Sequence, residues 1–289
     1  EKIEKIENTC RSLYEKYLPR PFYSALLDGC IEKGKDSRQW AYPSMIHDFN
    51  VMIGPTNVAD SIAAIKKVVF EDKKISMDEL IKAMDNNWEG FEDIRQMMIQ
   101  APKYGNDDDF ADQIAVEVHH RTSEVMAEFT DRFGNPMRGD GSGVSATYGL
   151  AHDTPATPDG RKNSEPFADA TLSPIQGGDH NGPTAVLKSA SKISTEKTYN
   201  HLLNQKFLPS TLEGDMKQTF ISYLRSWGDL GISHIQFNVV DRETLLAAQS
   251  APEKYQDLIV RVAGYSAYFV DLSKGLQDSI IKRTEQSFV

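Results

Sequence analysis

Near the C-terminal end, the stretch VRVAGYSAYF, residues 260–269, decides the fold of this 289-residue chain. Its β-branched residues, together with Ile259, predict a short strand over residues 259–262. Gly264 follows, and a residue without a Cβ can take a positive φ and approach other groups closely. The residues alone therefore predict a tight turn at Gly264 in a buried hairpin.

Helical and strand patterns flank this stretch. The apolar run IQFNVV, residues 235–240, predicts a buried strand, and an amphipathic pattern over residues 272–284 predicts a closing helix. Ser76 and Glu79 have the spacing of a capping box. Further helices are predicted over residues 23–33, 57–70, 77–86, 91–99, 109–133, 183–192 and 213–227. Helices alternating with few short strands indicate an α/β fold.

Composition excludes several classes of function. The formal net charge is −10, and phosphate binding needs clustered Lys and Arg, so nucleic acid is not the expected main partner. No apolar run reaches the length of a membrane span. The two cysteines, Cys10 and Cys30, are expected to be reduced thiols of a cytoplasmic protein. His119 and His120, beside Glu117 and Glu124, lack the spacing of a zinc-binding helix, so we expect a solvated helix face and no metal.

Residues 261–266, RVAGYS, resemble the C-terminal signature of glycyl radical enzymes of the pyruvate formate-lyase type. The likeness covers essentially the whole chain. Further blocks typical of the family occur in the same order, at residues 104–108, 157–161, 182–185, 204–207 and 235–240. The resemblance implies the C-terminal part of a ten-stranded α/β barrel wrapped by helices, with the glycyl radical loop at its centre and a glycyl radical domain over residues 165–289.

The resemblance also implies the chemistry. Gly264 would store a backbone Cα radical, protected by burial and installed by a radical S-adenosylmethionine activating enzyme, with no bound cofactor. That radical would take a hydrogen atom from a cysteine, and the thiyl radical would attack the substrate. The family carries this cysteine in a Gly-Cys-x-Glu loop, and residues 29–32, Gly-Cys-Ile-Glu, match that motif.

Cys30 is nevertheless not the expected thiyl residue. It falls inside a predicted helix, and its separation from Gly264 is short for the family. We expect the thiyl cysteine upstream of Glu1, in an N-terminal part without which this chain is inactive. That part would be one partner, the activating enzyme a second, and a homodimer with small accessory subunits is possible for the family.

Two segments are candidates for the substrate wall. The first, WAYPSMIH at residues 40–47, contributes Trp40 and His47, and the second, residues 137–145, contributes Arg138 and Ser142. Arg138 could bind a substrate carboxylate or pair with a nearby acid such as Asp140. His47 could transfer protons or be structural, and Trp40 could line the pocket or pack in the core.

An apolar wall with one cationic anchor favours decarboxylation of an arylacetate. Addition of a hydrocarbon to fumarate, as in benzylsuccinate- or alkylsuccinate-type synthases, is the first alternative, although a dicarboxylate would call for a second cation. Diol dehydration or C–N cleavage is another alternative. The last is a non-catalytic module that repairs a damaged radical enzyme, although such proteins are much shorter than this chain.

Overall fold

The computed structural model describes residues 2–39, 49–130, 136–141, 146–196 and 199–288. The chain divides into two compact units. The first comprises Glu1–Asn50 with Thr122–Gly139, and the second comprises Val51–Arg121 with Asp140–Val289. Within the described ranges, no helix is both long enough and apolar enough to cross a membrane.

The first unit begins with the helices α1 (Lys2–Tyr17), α2 (Pro21–Ser24) and α3 (Cys30–Lys33). The single helix predicted over residues 23–33 is wrong. α2 ends at Ser24, and turns occupy residues 25–29. Gly29, with a left-handed φ of +85°, ends this segment and places Cys30 at the first position of α3. The Cys30 side chain is buried, with 1% exposed.

The remaining helices lie in the second unit, except that α7 extends into the first. Their predicted bounds agree with the structure to within three residues, apart from the helix predicted over residues 109–133, which ends at Ala127. The predicted capping box is confirmed, since the Ser76 hydroxyl accepts from the Glu79 amide while the Glu79 carboxylate accepts from the Ser76 amide. The helices are α4 (Pro55–Ala64, continuing as a π-helix over Ile65–Glu71), α5 (Met77–Asp85), α6 (Glu92–Gln100), α7 (Asp109–Ala127), α8 (Ala146–Gly149), α9 (Gly182–Ser191), α10 (Met216–Asp229), α11 (Arg242–Ser250) and α12 (Lys274–Lys282).

Short strands form the sheets. They are β1 (Phe49–Val51), β2 (Arg138–Gly141), β3 (Tyr199–His201), β4 (Asn204–Phe207), β5 (Gln236–Val239), β6 (Ile259–Arg261), β7 (Ser266–Tyr268) and β8 (Glu285–Gln286). In the order β5–β4–β8, β4 pairs in parallel with both neighbours. Asp140 and Gly141 of β2 pair in parallel with β3. β6 and β7 form an antiparallel hairpin.

Two apolar clusters hold the sheet of β4 and the hairpin in place. Phe207 of β4 is fully buried, and its ring lies 5.2 Å from that of Phe220 and 5.9 Å from that of Phe237. Beneath the hairpin, a second cluster contains Val240, Leu245, Ala248, Val260, Val262, Phe269, Ile280 and Ile281. Burial of this many branched side chains fixes β6 against α11 and α12.

Candidate active site

The hairpin of β6 and β7 presents Gly264 at its tip. The Val262 amide donates to the Tyr265 carbonyl over 2.9 Å and closes the turn. Gly264 has a φ of +76°, which a residue with a Cβ adopts only with strain. The predicted tight turn at Gly264 is therefore confirmed.

The hairpin is buried below and exposed at its tip. Val262 and Ala263 are 1% and 2% exposed, whereas Gly264 and Tyr265 are exposed. Gly264 is therefore not shielded within this chain, and its burial at the centre of the complete barrel stays a prediction. The physical reason is that the side chains before the turn point into the cluster beneath the hairpin, while the turn itself projects away from that cluster.

Two side chains hold the backbone of Gly264. The Gly264 amide donates to Gln236 Oε1 over 3.2 Å, and Arg261 Nε donates to the same oxygen over 2.7 Å. Arg261 also reaches the Gly264 carbonyl through Nη2, at 3.4 Å, and Ser266 Oγ through Nη1, at 3.2 Å. Both amide groups that flank the Gly264 Cα thus face a polar partner.

Arg283 fixes the strand that leads to the turn. Its Nη1 donates to the Arg261 carbonyl over 3.0 Å, and its Nη2 donates to the Val262 carbonyl over 2.6 Å. Its Nε lies 2.5 Å from Asp169 Oδ2. Burial lowers the pKa of the Arg283 guanidinium, and the Asp169 carboxylate opposes that shift. The buried cation is thus balanced by one acid and two carbonyls.

Gln236 owes its orientation to β4. Its Nε2 donates to Asn204 Oδ1, so its Oε1 is the end that faces Gly264. Asn204 Nδ2 in turn donates to the Asp169 carbonyl over 3.3 Å. These contacts form a closed polar network at the base of the hairpin, whose members are Gly264, Gln236, Asn204, Asp169 and Arg283.

Sequence reasoning did not assign a role to Gln236, Asn204, Asp169 or Arg283. A signal existed for the first two, because each is a polar residue inside a segment typical of the family and each lies on a buried strand. Arg283 also lies in a segment that resembles the family, residues 283–285, whereas Asp169 lies in a segment without a distinctive pattern. Their pairing depends on contacts between residues far apart in the chain.

Asp179 is a second buried acid near the base of the hairpin. Its carboxylate accepts hydrogen bonds from Thr284 Oγ1 and Gln286 Nε2. Burial nevertheless dominates and raises the pKa of Asp179 to about 6. This carboxyl therefore keeps its proton in the folded protein at pH values where it has lost it in the unfolded chain.

This raised pKa predicts a pH-dependent stability. Below about pH 4 the carboxyl is protonated in both the folded and the unfolded state. Between about pH 4 and pH 6 it is protonated only in the folded state. The free energy of unfolding therefore falls by up to about 3 kcal/mol as the pH rises through this range. Asp179→Asn mimics the protonated form and should remove this fall. Melting temperatures across that pH range compare the two proteins, with Asp93→Asn, at an exposed position, as the control for charge removal. Parallel curves for wild type and Asp179→Asn would contradict the assignment.

The other predicted site residues are located only in part. Arg138 lies on β2, whereas Trp40, His47 and Ser142 lie outside the described residues. Their roles in substrate binding stay predictions. Cys30 belongs to the first unit.

Other segments typical of the family serve to hold loops together. Asp159 accepts from Asn57 Nδ2 over 2.7 Å and from Thr157 Oγ1 over 2.5 Å. Arg161 donates to the Glu165 carbonyl over 2.6 Å. These contacts give residues 157–161 a structural role.

His119 departs from the expected solvated helix face. It is 1% exposed and forms an edge-to-face pair with His201, with ring centroids 5.7 Å apart, whereas Glu117 is exposed. Burial lowers the pKa of His119 to about 3, so the ring is neutral. No group of three or more His, Cys, Asp or Glu side chains that could hold a metal ion is found in the part of the chain that the structure describes.

Comparison with known proteins gives the family models and relatives that this chain resembles. A family model described as pyruvate formate lyase-like matches residues 3–150, and one described as glycine radical matches residues 168–270. The chain is 43% identical to trans-4-hydroxy-L-proline dehydratase of Clostridioides difficile, over 98% of this chain and 35% of that protein. It is 42% identical to isethionate sulfite-lyase of Bilophila wadsworthia, over 93% of this chain and 33% of that protein.

A solved structure and a more distant sequence relative complete the comparison. The glycerol-bound B12-independent glycerol dehydratase of Clostridium butyricum has a TM-score of 0.90 and 40% identity, covering 97% of this chain and 36% of that one. Indoleacetate decarboxylase of Tractidigestivibacter scatoligenes is 34% identical over 92% of this chain and 33% of that protein.

The chain thus spans about a third of the length of the relatives that it matches. The likeness confirms the predicted α/β class and the pyruvate formate-lyase type of barrel fold. With both family models matched and a radical-signature glycine at the tip of the β6–β7 hairpin, the chain belongs to the glycyl radical enzymes of the pyruvate formate-lyase type.

Proposed function

We propose that the protein containing this chain is a glycyl radical lyase that eliminates a leaving group from a small polar substrate. The observation that carries the radical assignment is Gly264, at an exposed hairpin tip with a polar partner on each flanking amide. The relatives support elimination as the reaction, since they include a hydroxyproline dehydratase, a sulfite-lyase and a glycerol dehydratase.

The steps of the proposed reaction balance. A cysteine thiol gives its hydrogen atom to the Gly264 Cα radical, which restores glycine and leaves a thiyl radical. The thiyl radical takes a hydrogen atom from a substrate carbon. The neighbouring carbon then loses its leaving group as an anion, or as water after protonation of a hydroxyl, while the hydroxyl or amine on the radical carbon gives up a proton. The product radical takes the hydrogen atom back from the thiol. The resulting thiyl radical regains a hydrogen atom from Gly264, which restores the Cα radical.

Elimination replaces arylacetate decarboxylation as the favoured reaction. The preference for decarboxylation rested on an apolar wall around Trp40 and a single anchor at Arg138. The dehydratases and the sulfite-lyase are 40–43% identical to this chain, whereas the indoleacetate decarboxylase is 34% identical. A polar substrate also suits Arg138, His47 and Ser142 as binding residues, with Arg138 on a carboxylate or sulfonate.

A radical S-adenosylmethionine activating enzyme and the rest of the polypeptide complete the proposal. The thiyl cysteine would come from outside this chain, and the remaining barrel would cover the exposed tip at Gly264. Residues 165–289 would form the glycyl radical domain.

A substrate panel tests the reaction. The full-length protein, activated anaerobically, should release water, sulfite or an amine from one of hydroxyproline, isethionate, glycerol or an amino alcohol, detected by mass spectrometry and sulfite assay. Indoleacetate and toluene plus fumarate serve as comparison substrates. Turnover of either of these, with no elimination from the polar panel, would overturn the proposed reaction.

Cys30 offers a separate prediction. If the thiyl cysteine lies elsewhere, Cys30→Ala should keep both the organic radical signal and turnover within about a factor of two, with at most about 1 kcal/mol lost from the small cavity. Electron paramagnetic resonance and product formation measure the two. Loss of turnover in a folded variant that still carries the radical would make Cys30 the thiyl residue.

A further inference from the structure

Gly264 lies between two groups that polarise its backbone in the same direction. Gln236 Oε1 accepts from the Gly264 amide at 3.2 Å, which raises electron density on the nitrogen. The Arg261 guanidinium faces the Gly264 carbonyl oxygen at 3.4 Å, which strengthens electron withdrawal by that carbonyl. One group donates charge toward the Cα and the other draws charge from it.

This arrangement bears on a Cα radical in particular. Such a radical is stabilised when an electron-donating nitrogen and an electron-withdrawing carbonyl share the unpaired electron. A hydrogen-bond acceptor on the amide strengthens the first, and a cation near the oxygen strengthens the second. Both effects are larger when the partner is a charged group.

The surroundings keep these partners in place while leaving Gly264 free to change geometry. Arg261 Nε donates to Gln236 Oε1 over 2.7 Å, and the Gln236 amide is oriented by Asn204. Gly264 itself is exposed within this chain, so flattening of its Cα meets no packed side chain there. The two polar partners can therefore follow the backbone as the carbon becomes planar.

We infer that Gln236 and Arg261 are positioning residues that set the stability of the Gly264 radical, beyond holding the turn in shape. This inference rests on the proposed function, in which Gly264 carries the radical. It predicts that removal of either partner concentrates the unpaired electron on the Cα. The radical then has a larger coupling to the α-hydrogen and a shorter lifetime.

Electron paramagnetic resonance of the activated full-length protein tests this. Gln236→Leu and Arg261→Gln should each widen the α-hydrogen splitting and shorten the anaerobic half-life of the radical by about tenfold, the factor expected for one lost hydrogen bond to a charged or polarised group. Gln236→Glu keeps the acceptor and adds negative charge, so its splitting should be narrower than that of wild type. A purely structural role would alter melting temperature and radical yield without moving the splitting.

The matched control is Gln249→Leu. Gln249, on α11, donates to Gln277 and Asp278 at 3.2 Å and 2.8 Å, and neither of these two hydrogen bonds involves Gly264, Gln236 or Arg261. Its loss should leave splitting and half-life unchanged. Wild-type splitting in activated Gln236→Leu would overturn the inference. If that variant cannot be activated, Gln236→Glu decides, since an unchanged splitting there overturns the inference and a narrower one supports it. Absence of a doublet in wild type would instead contradict the proposed function.

Discussion

Gly264→Ala should abolish the organic radical and all turnover. A methyl group on this carbon forces the backbone out of the plane that a conjugated radical needs, and at a φ of +76° it also strains the turn by about 1–2 kcal/mol. We therefore expect a folded protein without the doublet signal of a glycyl radical after anaerobic activation. Electron paramagnetic resonance measures the signal, and product analysis measures turnover.

Gly231→Ala is the control for backbone strain. Gly231 also has a positive φ, +69°, and a Cβ added there meets no atom within 4 Å, so the two variants share the strain and differ in the radical. Gly231→Ala should lose stability to a similar extent and keep its radical. A doublet that survives Gly264→Ala would contradict the assignment of the radical to this residue.

Arg283→Met should destabilise the folded protein by about 3–5 kcal/mol, because it leaves the Asp169 carboxylate buried without its cation. The side chains of Arg283 and Asp169 are 6% and 9% exposed, so water cannot replace the lost charge. The variant also removes the donors to the Arg261 and Val262 carbonyls, and the strand before Gly264 should loosen. Chemical denaturation measures the loss.

Two comparisons separate burial from charge. Arg11→Met breaks a partly exposed pair with Glu7, with a 2.8 Å separation, and should cost less than about 1 kcal/mol. The double variant Asp169→Leu with Arg283→Met removes both charges and should recover part of the stability, although the two carbonyls stay without their donor. Equal losses from Arg11→Met and Arg283→Met would refute the account of the buried pair.

Local patterns in the sequence predict those parts of the fold that depend on neighbouring residues. The capping box at Ser76, the strand at β5 and the turn at Gly264 each follow from short-range chemistry, and the structure confirms them. The helix predicted over residues 23–33 is wrong, because turns over residues 25–29, the last of them at the left-handed Gly29, separate α2 from α3 despite the apolar periodicity. Apolar patterning alone does not register such an interruption.

Strand β4 shows why the remainder of the site could not be predicted. Its residues Asn204, Gln205 and Lys206 are polar, which is typical of a surface loop, yet all three are buried. Asn204 and Lys206 are tolerated because groups from distant segments accept their hydrogen bonds, namely the Asp169 carbonyl for Asn204 Nδ2 and the Ile281 carbonyl for Lys206 Nζ, both at 3.3 Å. Contacts of this kind are absent from any local window of sequence.

The segment that follows Gly264 should stay bound to the rest of the protein after the chain is cleaved. Oxygen is expected to cut an activated chain at Gly264, which would break the covalent link between residues up to Gly264 and the segment that begins at Tyr265. That segment contributes the buried Ile280 and Ile281, the Arg283 partner of Asp169, and β8, which pairs with β4, so each of these contacts joins it to the rest of the chain. We therefore expect native mass spectrometry to find a nicked but intact assembly, and only denaturing conditions to separate the two pieces.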